Sequence, residues 1–158
     1  MKGSPDVIKV LNEVLRKELT GINQYFVHAK MCKNWGYEVI YDVDWKESID
    51  EMKHADRLVE RILFLEGVPN IAAYDKISIG ATVKKQFEND LGLEQAALTV
   101  LKPGIKTCLD AQDDATRELR VVLAASTNWM AASHGYLAPQ SSFASTSLSE
   151  SVMPPDLR

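Results

Sequence analysis

Glu18, Glu51, His54 and Glu94 occupy positions that the surrounding pattern reserves for apolar side chains. Leu11, Leu15, Glu18, Ile22 and Tyr25 step by threes and fours. So do Glu51, His54, Leu58, Ile62 and Leu65, and again Phe87, Leu91, Glu94, Leu98, Leu101 and Ile105. Each run directs a carboxylate inward near its middle, and one adds an imidazole. An ionised carboxylate buried alone costs several kcal/mol or gives up its charge, so three in one core call for a common cation. Glu51 and His54 form a Glu-x-x-His pair, neighbours on a helix surface that can grip one ion together. Carboxylate oxygens with a single imidazole nitrogen suit iron or manganese better than a thiolate zinc site. Taken singly, a glutamate on a helix face usually lies near the surface, and a histidine there is usually a satisfied core residue. The shared register of three runs is what favours a ligand set.

The elements that must position these residues read as helices. The first spans Pro5–Asn34, with Ser4 as a cap and Gly36 just beyond. The second covers residues 42–66 and stops at Gly67-Val68-Pro69-Asn70. A connection of roughly fifteen residues follows, too long for a tight turn between antiparallel neighbours. The third covers residues 82–111, and a fourth begins at Asp113 or Asp114, whose carboxylates suit a helix start. Helices of about 25–30 residues far exceed the usual ~11–12. Long helices, short links and one long crossover predict an all-α four-helix bundle. A di-iron bundle of this kind takes a Glu from each of two helices and Glu-x-x-His from each of the other two; one Glu-x-x-His is present at Glu51–His54.

The chain has 158 residues, 46% hydrophobic and 25% charged, with a formal net charge of −4. That length suits one domain spanning residues 1–158, and the composition excludes general disorder. No apolar run reaches the ~18 residues that span a bilayer, and the charged N-terminus is not a signal peptide. Cys32 and Cys108 are too far apart for a CxxC metal site, so a cytoplasmic protein with reduced thiols is expected. The mildly acidic balance argues against nucleic acid as a partner.

Residues 120–158 differ from the rest. Their only charged residues are Arg120, Glu150, Asp156 and Arg158, in a background of Ala, Ser and Thr. The break is of the kind a shifted reading frame produces. Helix is expected to weaken by about Ala132 and give way to loop or disorder. Pro103-Gly104 is expected to kink the third helix beyond Glu94.

Met52 lies beside the inward stripe, with Ala55, Val59 and Leu63 on a second apolar face of the same helix. Such a face needs a cover, and a second copy of the chain is the natural one. On packing alone Met52 reads as interface filler, although a thioether can also ligate haem iron.

INQYF at Ile22–Phe26, ESIDEMKHAD at Glu47–Asp56 and ERILFLEGVPN at Glu60–Asn70 resemble the bacterioferritins. So do the opening MKG and DLGLEQA around Glu94, and the likeness runs from Met1 to about Leu119. The resemblance implies a ferritin-like subunit of a hollow shell of 24 chains that oxidises Fe(II) with O₂ at an intrasubunit di-iron site and stores the mineral. It implies haem b between paired subunits, one methionine from each, and a small ferredoxin as partner for iron release. Carried over by position, Glu18, Glu51, His54 and Glu94 match the ferroxidase ligands, with Glu51 and Glu94 bridging, and Met52 matches the haem ligand. Of the family's inner-surface iron pair, Asp50 is present, but Lys46 replaces the histidine.

The family's second Glu-x-x-His is missing. Thr127 and Met130 stand at those positions, and His134 reads as an exposed residue near a fraying end. Two functions follow. One is a ferroxidase feeding a storage shell; the other is a haem-binding shell subunit with an incomplete, weak or inactive centre. A rubredoxin-linked peroxidase lacks its cysteine pair. DNA-binding ferritin relatives, with intersubunit centres, fit poorly with inward carboxylates on three helices.

Overall fold

The computed structural model describes residues 2–137. They form α1 (Pro5–Asn34), α2 (Glu38–Phe64), α3 (Val83–Asp110) and α4 (Asp114–Leu137), and no strand occurs among the described residues. None of these helices is long and apolar enough to cross a membrane.

The helix ends follow local chemistry. Ser4 sits at the N-cap of α1 in extended conformation, without a side-chain cap bond, and Pro5 opens the first turn. Gly36, at φ 86°, reverses the chain. α2 begins four residues earlier than the sequence pattern suggests, because no breaker follows Gly36 and the added turn is held from outside. The Lys30 ammonium lies 4.2 Å from the Trp45 ring centre, and that of Lys33 lies 4.4 Å from Tyr41. The Thr82 hydroxyl caps α3 by accepting from Lys85 N–H at 3.2 Å. The Asp113 carboxylate caps α4, accepting from Thr116 N–H at 2.9 Å and pairing with Arg61 at 2.7 Å.

α3 continues through Pro103 without a break in the helix. α4 does not fade at Ala132 but runs to Leu137. Its buried face, Leu119, Leu123, Thr127, Met130 and His134, keeps the three-four step although the charged residues are gone. Burial, rather than charge patterning, sustains the helix. The loop expected further on lies outside the described residues.

Side-chain pairings set the directions. Cys32, His28 and Tyr25 of α1 meet Gln86, Asp90 and Glu94 of α3 in turn, so these helices are antiparallel. Arg61 meets Asp113 and Thr116, whereas Glu47 meets His134, so α2 and α4 are antiparallel as well. The crossover lies along α1, gripped by a polar stripe spaced every four residues, of which Arg16 pairs with Asp75 at 3.1 Å. Asn12 donates to the Val68 carbonyl; Thr20, Gln24 and His28 accept from the backbone N–H of Asp75, Ser78 and Gly80.

The core divides lengthwise. One half is apolar, built on Leu11, Leu15, Leu58, Ile62, Leu101 and Leu123. The other carries the buried polar residues. On α3 the buried positions are Gln86, Phe87, Asp90, Glu94, Ala97, Leu101, Gly104 and Cys108. The stripe is therefore turned slightly from the expected one: Asp90, Ala97 and Gly104 are buried, and Leu91 and Leu98 flank them.

Candidate metal centre

α1 and α2 lie side by side with Gly21 facing Glu51: a Cβ on Gly21 would come within 3.3 Å of the Glu51 side chain. That close approach brings Glu18 to the Glu51–His54 pair. His54 Nδ1 lies 3.0 Å from Glu51 Oε2 and 3.2 Å from Glu18 Oε2. One donor atom from each of the three residues lies within 4.8 Å of the others. Glu94, on α3, stands outside that trio: it accepts a hydrogen bond from the Tyr25 hydroxyl, and it is coupled to Glu18 and Glu51 through charge repulsion. All three glutamates are at most 5% exposed.

Their electrostatics are those of a crowded, dry acid cluster. Burial pushes Glu18 up to about 7, its hydrogen bond to Glu51 pulling back and repulsion from Glu94 adding to the rise. Burial and repulsion from Glu51 push Glu94 up to about 8. Burial and the charge of Glu18 raise Glu51 well above the ordinary range. Such a cluster holds protons or a cation. Its acceptor atoms can release the former in exchange for the latter.

The fourth helix adds no ligand here. Thr127 and Met130 are buried, but the Thr127 hydroxyl donates to the Leu123 carbonyl at 3.0 Å. Met130 offers only a thioether, a soft donor poorly suited to a carboxylate-lined iron site. His134 departs from expectation. It is 1% exposed rather than near a fraying surface, and its ring stacks on Tyr25 with centroids 5.7 Å apart.

The remaining expected residues lie elsewhere. Asp50 is tied to Lys46 and Lys53, each at 2.6 Å. Met52 is 52% exposed, on the side of α2 away from the bundle. Leu63 shares that open face, but Ala55 is buried in the core rather than lying on it.

Several buried polar residues escaped the sequence reading: His28, Asp44, Glu47 and Asp90. On α2 the signal was present, since Asp44, Glu47, Glu51, His54 and Leu58 continue one three-four stripe toward the helix start.

Residues 8–137 match the model of the ferritin-like domain. The bacterioferritin of Mycobacterium leprae is 45% identical over 119 residues, 75% of each chain. Bacterioferritin BfrA of Mycobacterium tuberculosis is 49% identical over 113 residues, 72% of this chain and 71% of that one. A bacterial ferritin of Synechocystis is 39% identical over 127 residues, 80% of this chain and 81% of that one. With the bundle, the inward carboxylates and these relatives in agreement, the chain belongs to the ferritin-like family and, within it, to the bacterioferritins.

Proposed function

We propose that this chain is an iron-storage subunit that takes up Fe(II) as substrate at Glu18, Glu51, His54 and Glu94. The carrying observation is the convergence of Glu18, Glu51 and His54, buried and within 4.8 Å of one another. Fe(II) entering there displaces the protons that burial holds on the carboxyl groups, and the resulting negative charge favours Fe(III) once an electron has passed to O₂. His54 supplies one nitrogen. Tyr25 orients Glu94 through its hydroxyl.

The centre is uneven. Glu18 and His54, with Glu51 and Glu94 as bridges, hold one iron, whereas a second would have only the bridging carboxylates. Thr127 and Met130 occupy the positions from which the family resemblance would draw its remaining ligands. This favours the second reading, a shell subunit with a weak ferroxidase, over a full di-iron enzyme. Loss of outer-shell partners alone lowers affinity or activity ~10–100-fold, and missing direct ligands cost more. The expectation is one tight iron at this centre and slow oxidation.

Bacterioferritin relatives support assembly into a shell, which we take as 24 chains built from dimers. Met52, half open on the outer side of α2, fits a thioether ligand to haem b shared with a second copy. Bound there, haem supplies a redox centre able to pass electrons toward stored iron. A small ferredoxin is the matching electron donor. Asp50, neutralised by two lysines, is at most a weak inner-surface ligand. The cytoplasm is the proposed compartment.

Single-turnover Fe(II)/O₂ stoichiometry on the purified chain tests the centre. Slow oxidation of about one Fe(II) per chain is expected. A rapid phase consuming two would overturn the one-iron reading, and no binding at all would overturn the site.

A further inference from the structure

Two histidines are fully buried in the polar half of the core, and only one has both nitrogens satisfied. His28 Nδ1 lies 2.9 Å from Asp90 Oδ2, and its Nε2 accepts from Gly80 N–H at 3.0 Å. Asp90 Oδ1 in turn accepts from Gln24 at 2.7 Å. That group is closed.

His134 is different. Its Nδ1 lies 3.0 Å from the Met130 carbonyl, and a carbonyl oxygen only accepts, so Nδ1 carries the proton. In the neutral ring Nε2 then presents a lone pair. It faces Glu47 Oε2 at 3.2 Å, which is only an acceptor when Glu47 is ionised. Glu47 Oε2 and Asp44 Oδ1 are buried without any hydrogen-bond donor. Asp44 is 1% exposed and Glu47 is 5% exposed. One donor atom from each of Asp44, Glu47 and His134 lies within 4.8 Å of the others.

Three acceptor atoms thus converge in a dry place, and only protons or a cation between them can relieve it. Such an arrangement is costly unless a cation fills it. Small side-chain rotations would bring all three atoms within the ~2.0–2.2 Å reach of a first-row metal. The imidazole is already fixed in a ligating orientation. The Met130 carbonyl sets its tautomer, Tyr25 stacks on one side and the Phe87 ring lies 5.9 Å away. Burial and repulsion between the two acids raise Asp44 to about 8 and Glu47 to about 9, so protons occupy the empty site and a dication would displace them.

We propose that Asp44, Glu47 and His134 form a second divalent-cation site, one turn of α2 from Glu51. Two carboxylates and one imidazole select a first-row transition ion such as Fe(II), with Zn(II) as its redox-inert substitute, over Mg(II) or Ca(II). Water completes the coordination. The fourth helix therefore places its one imidazole not among Glu18, Glu51 and His54 but beside them, with Tyr25 between the two groups, stacked on His134 and bonded to Glu94.

Crystals of the full chain soaked in Zn(II) and measured at the zinc edge test this. An anomalous peak between Asp44, Glu47 and His134 is expected, separate from any peak at Glu18, Glu51 and His54. His134→Phe keeps the stacking surface and removes the nitrogen; Asp44→Asn keeps the shape and removes the charge. Each should abolish that peak alone and lower bound zinc by one per chain in equilibrium dialysis. Absence of the peak in the unsubstituted chain overturns the proposal, whatever the other site holds. So does a peak that survives both substitutions. A peak at this site alone would support it while refuting binding at Glu18, Glu51 and His54.

Discussion

Gly104 of α3 leaves open the space that the guanidinium of Arg120 on α4 fills. Arg120 is fully buried and donates to the carbonyls of Val10, Val100 and Leu101 at 3.1, 2.7 and 2.9 Å. Two of these carbonyls lie in the turn just before Pro103. The proline and glycine that looked like a helix breaker are therefore a seat for a cross-bundle strut.

Gly104→Ala should unseat that strut. A Cβ at residue 104 overlaps the guanidinium, and Arg120 cannot move without giving up its bonds to the Val10, Val100 and Leu101 carbonyls and leaving a buried charge unpaired. A loss of about 2–4 kcal/mol in urea unfolding is expected, although alanine is the better helix former. An unchanged or raised midpoint would contradict the seat.

The metal-free chain should lose stability as pH rises from about 5 to 8. Glu18 and Glu94 have an ordinary value of 4.5 and are raised in the folded chain to about 7 and about 8. Below 4.5 both folded and unfolded chains hold these protons, and the contribution is fully present. Above it the unfolded chain sheds them first, so stability falls until the folded values are passed. Asp44 and Glu47 act in the same direction, up to about 8 and about 9. Asp50 and Asp113 are lowered from 3.8 and titrate below this window, whereas His134, lowered from 6.5 by burial, works against the trend as one group against four carboxyls. Urea midpoints at pH 5 and pH 8 with chelator present measure the effect, and Zn(II) should restore more at pH 8. A higher chelated midpoint at pH 8 would reverse the sign.

The helices and the inward placement of Glu18, Glu51, His54 and Glu94 were legible because periodicity reports burial directly. His134 was not. Its surroundings in sequence are small and uncharged, and only the antiparallel register of α4 against α2 brings it to Glu47. His28 and Asp90 were hidden for a related reason: their partners come from the crossover and from a helix 62 residues away. Asp44 and Glu47 could have been read by extending the α2 stripe toward its start. The four-residue polar spacing of Asn12, Arg16, Thr20, Gln24 and His28 likewise marks the track of the crossover, once it is known that a connection must lie there.

Met52→Ala should abolish haem binding and leave the chain folded. The side chain is half exposed and contributes nothing to the core cluster, so its removal opens no cavity within the bundle. Absorbance in the Soret region, on reconstitution with haem b, reads the outcome. An undiminished band would remove Met52 as the ligand and return it to interface packing.

Glu51→Ala and His54→Ala should each lower Zn(II) affinity by at least ~10-fold while keeping the helical content of the chain. Removing a buried ligand also removes the need to desolvate it, and both residues lie outside the apolar cluster that holds the bundle together. Titration calorimetry and far-ultraviolet circular dichroism separate the two effects. Full affinity in either variant would exclude that residue from the centre.

The double substitution Thr127→Glu with Met130→His should restore the second iron position. α4 runs antiparallel to α2, with Glu47 level with His134 and Arg61 level with Asp113 and Thr116. Moving from His134 toward the start of α4 therefore brings Met130 level with Glu51, and Thr127 level with His54. Both are buried, at 3% exposure, so a carboxylate and an imidazole introduced there face the interior. They also sit three residues apart, the same Glu-x-x-His spacing that α2 uses. Without metal the pair adds charge to a dry core and should destabilise the chain; with Fe(II) bound, that cost is offset. Stopped-flow oxidation should gain a rapid phase consuming about two Fe(II) per chain, against about one, slowly, in the unsubstituted protein. A double variant that folds, binds zinc at Glu51 and His54, and still lacks the rapid phase would show that the deficit lies elsewhere than in these two side chains.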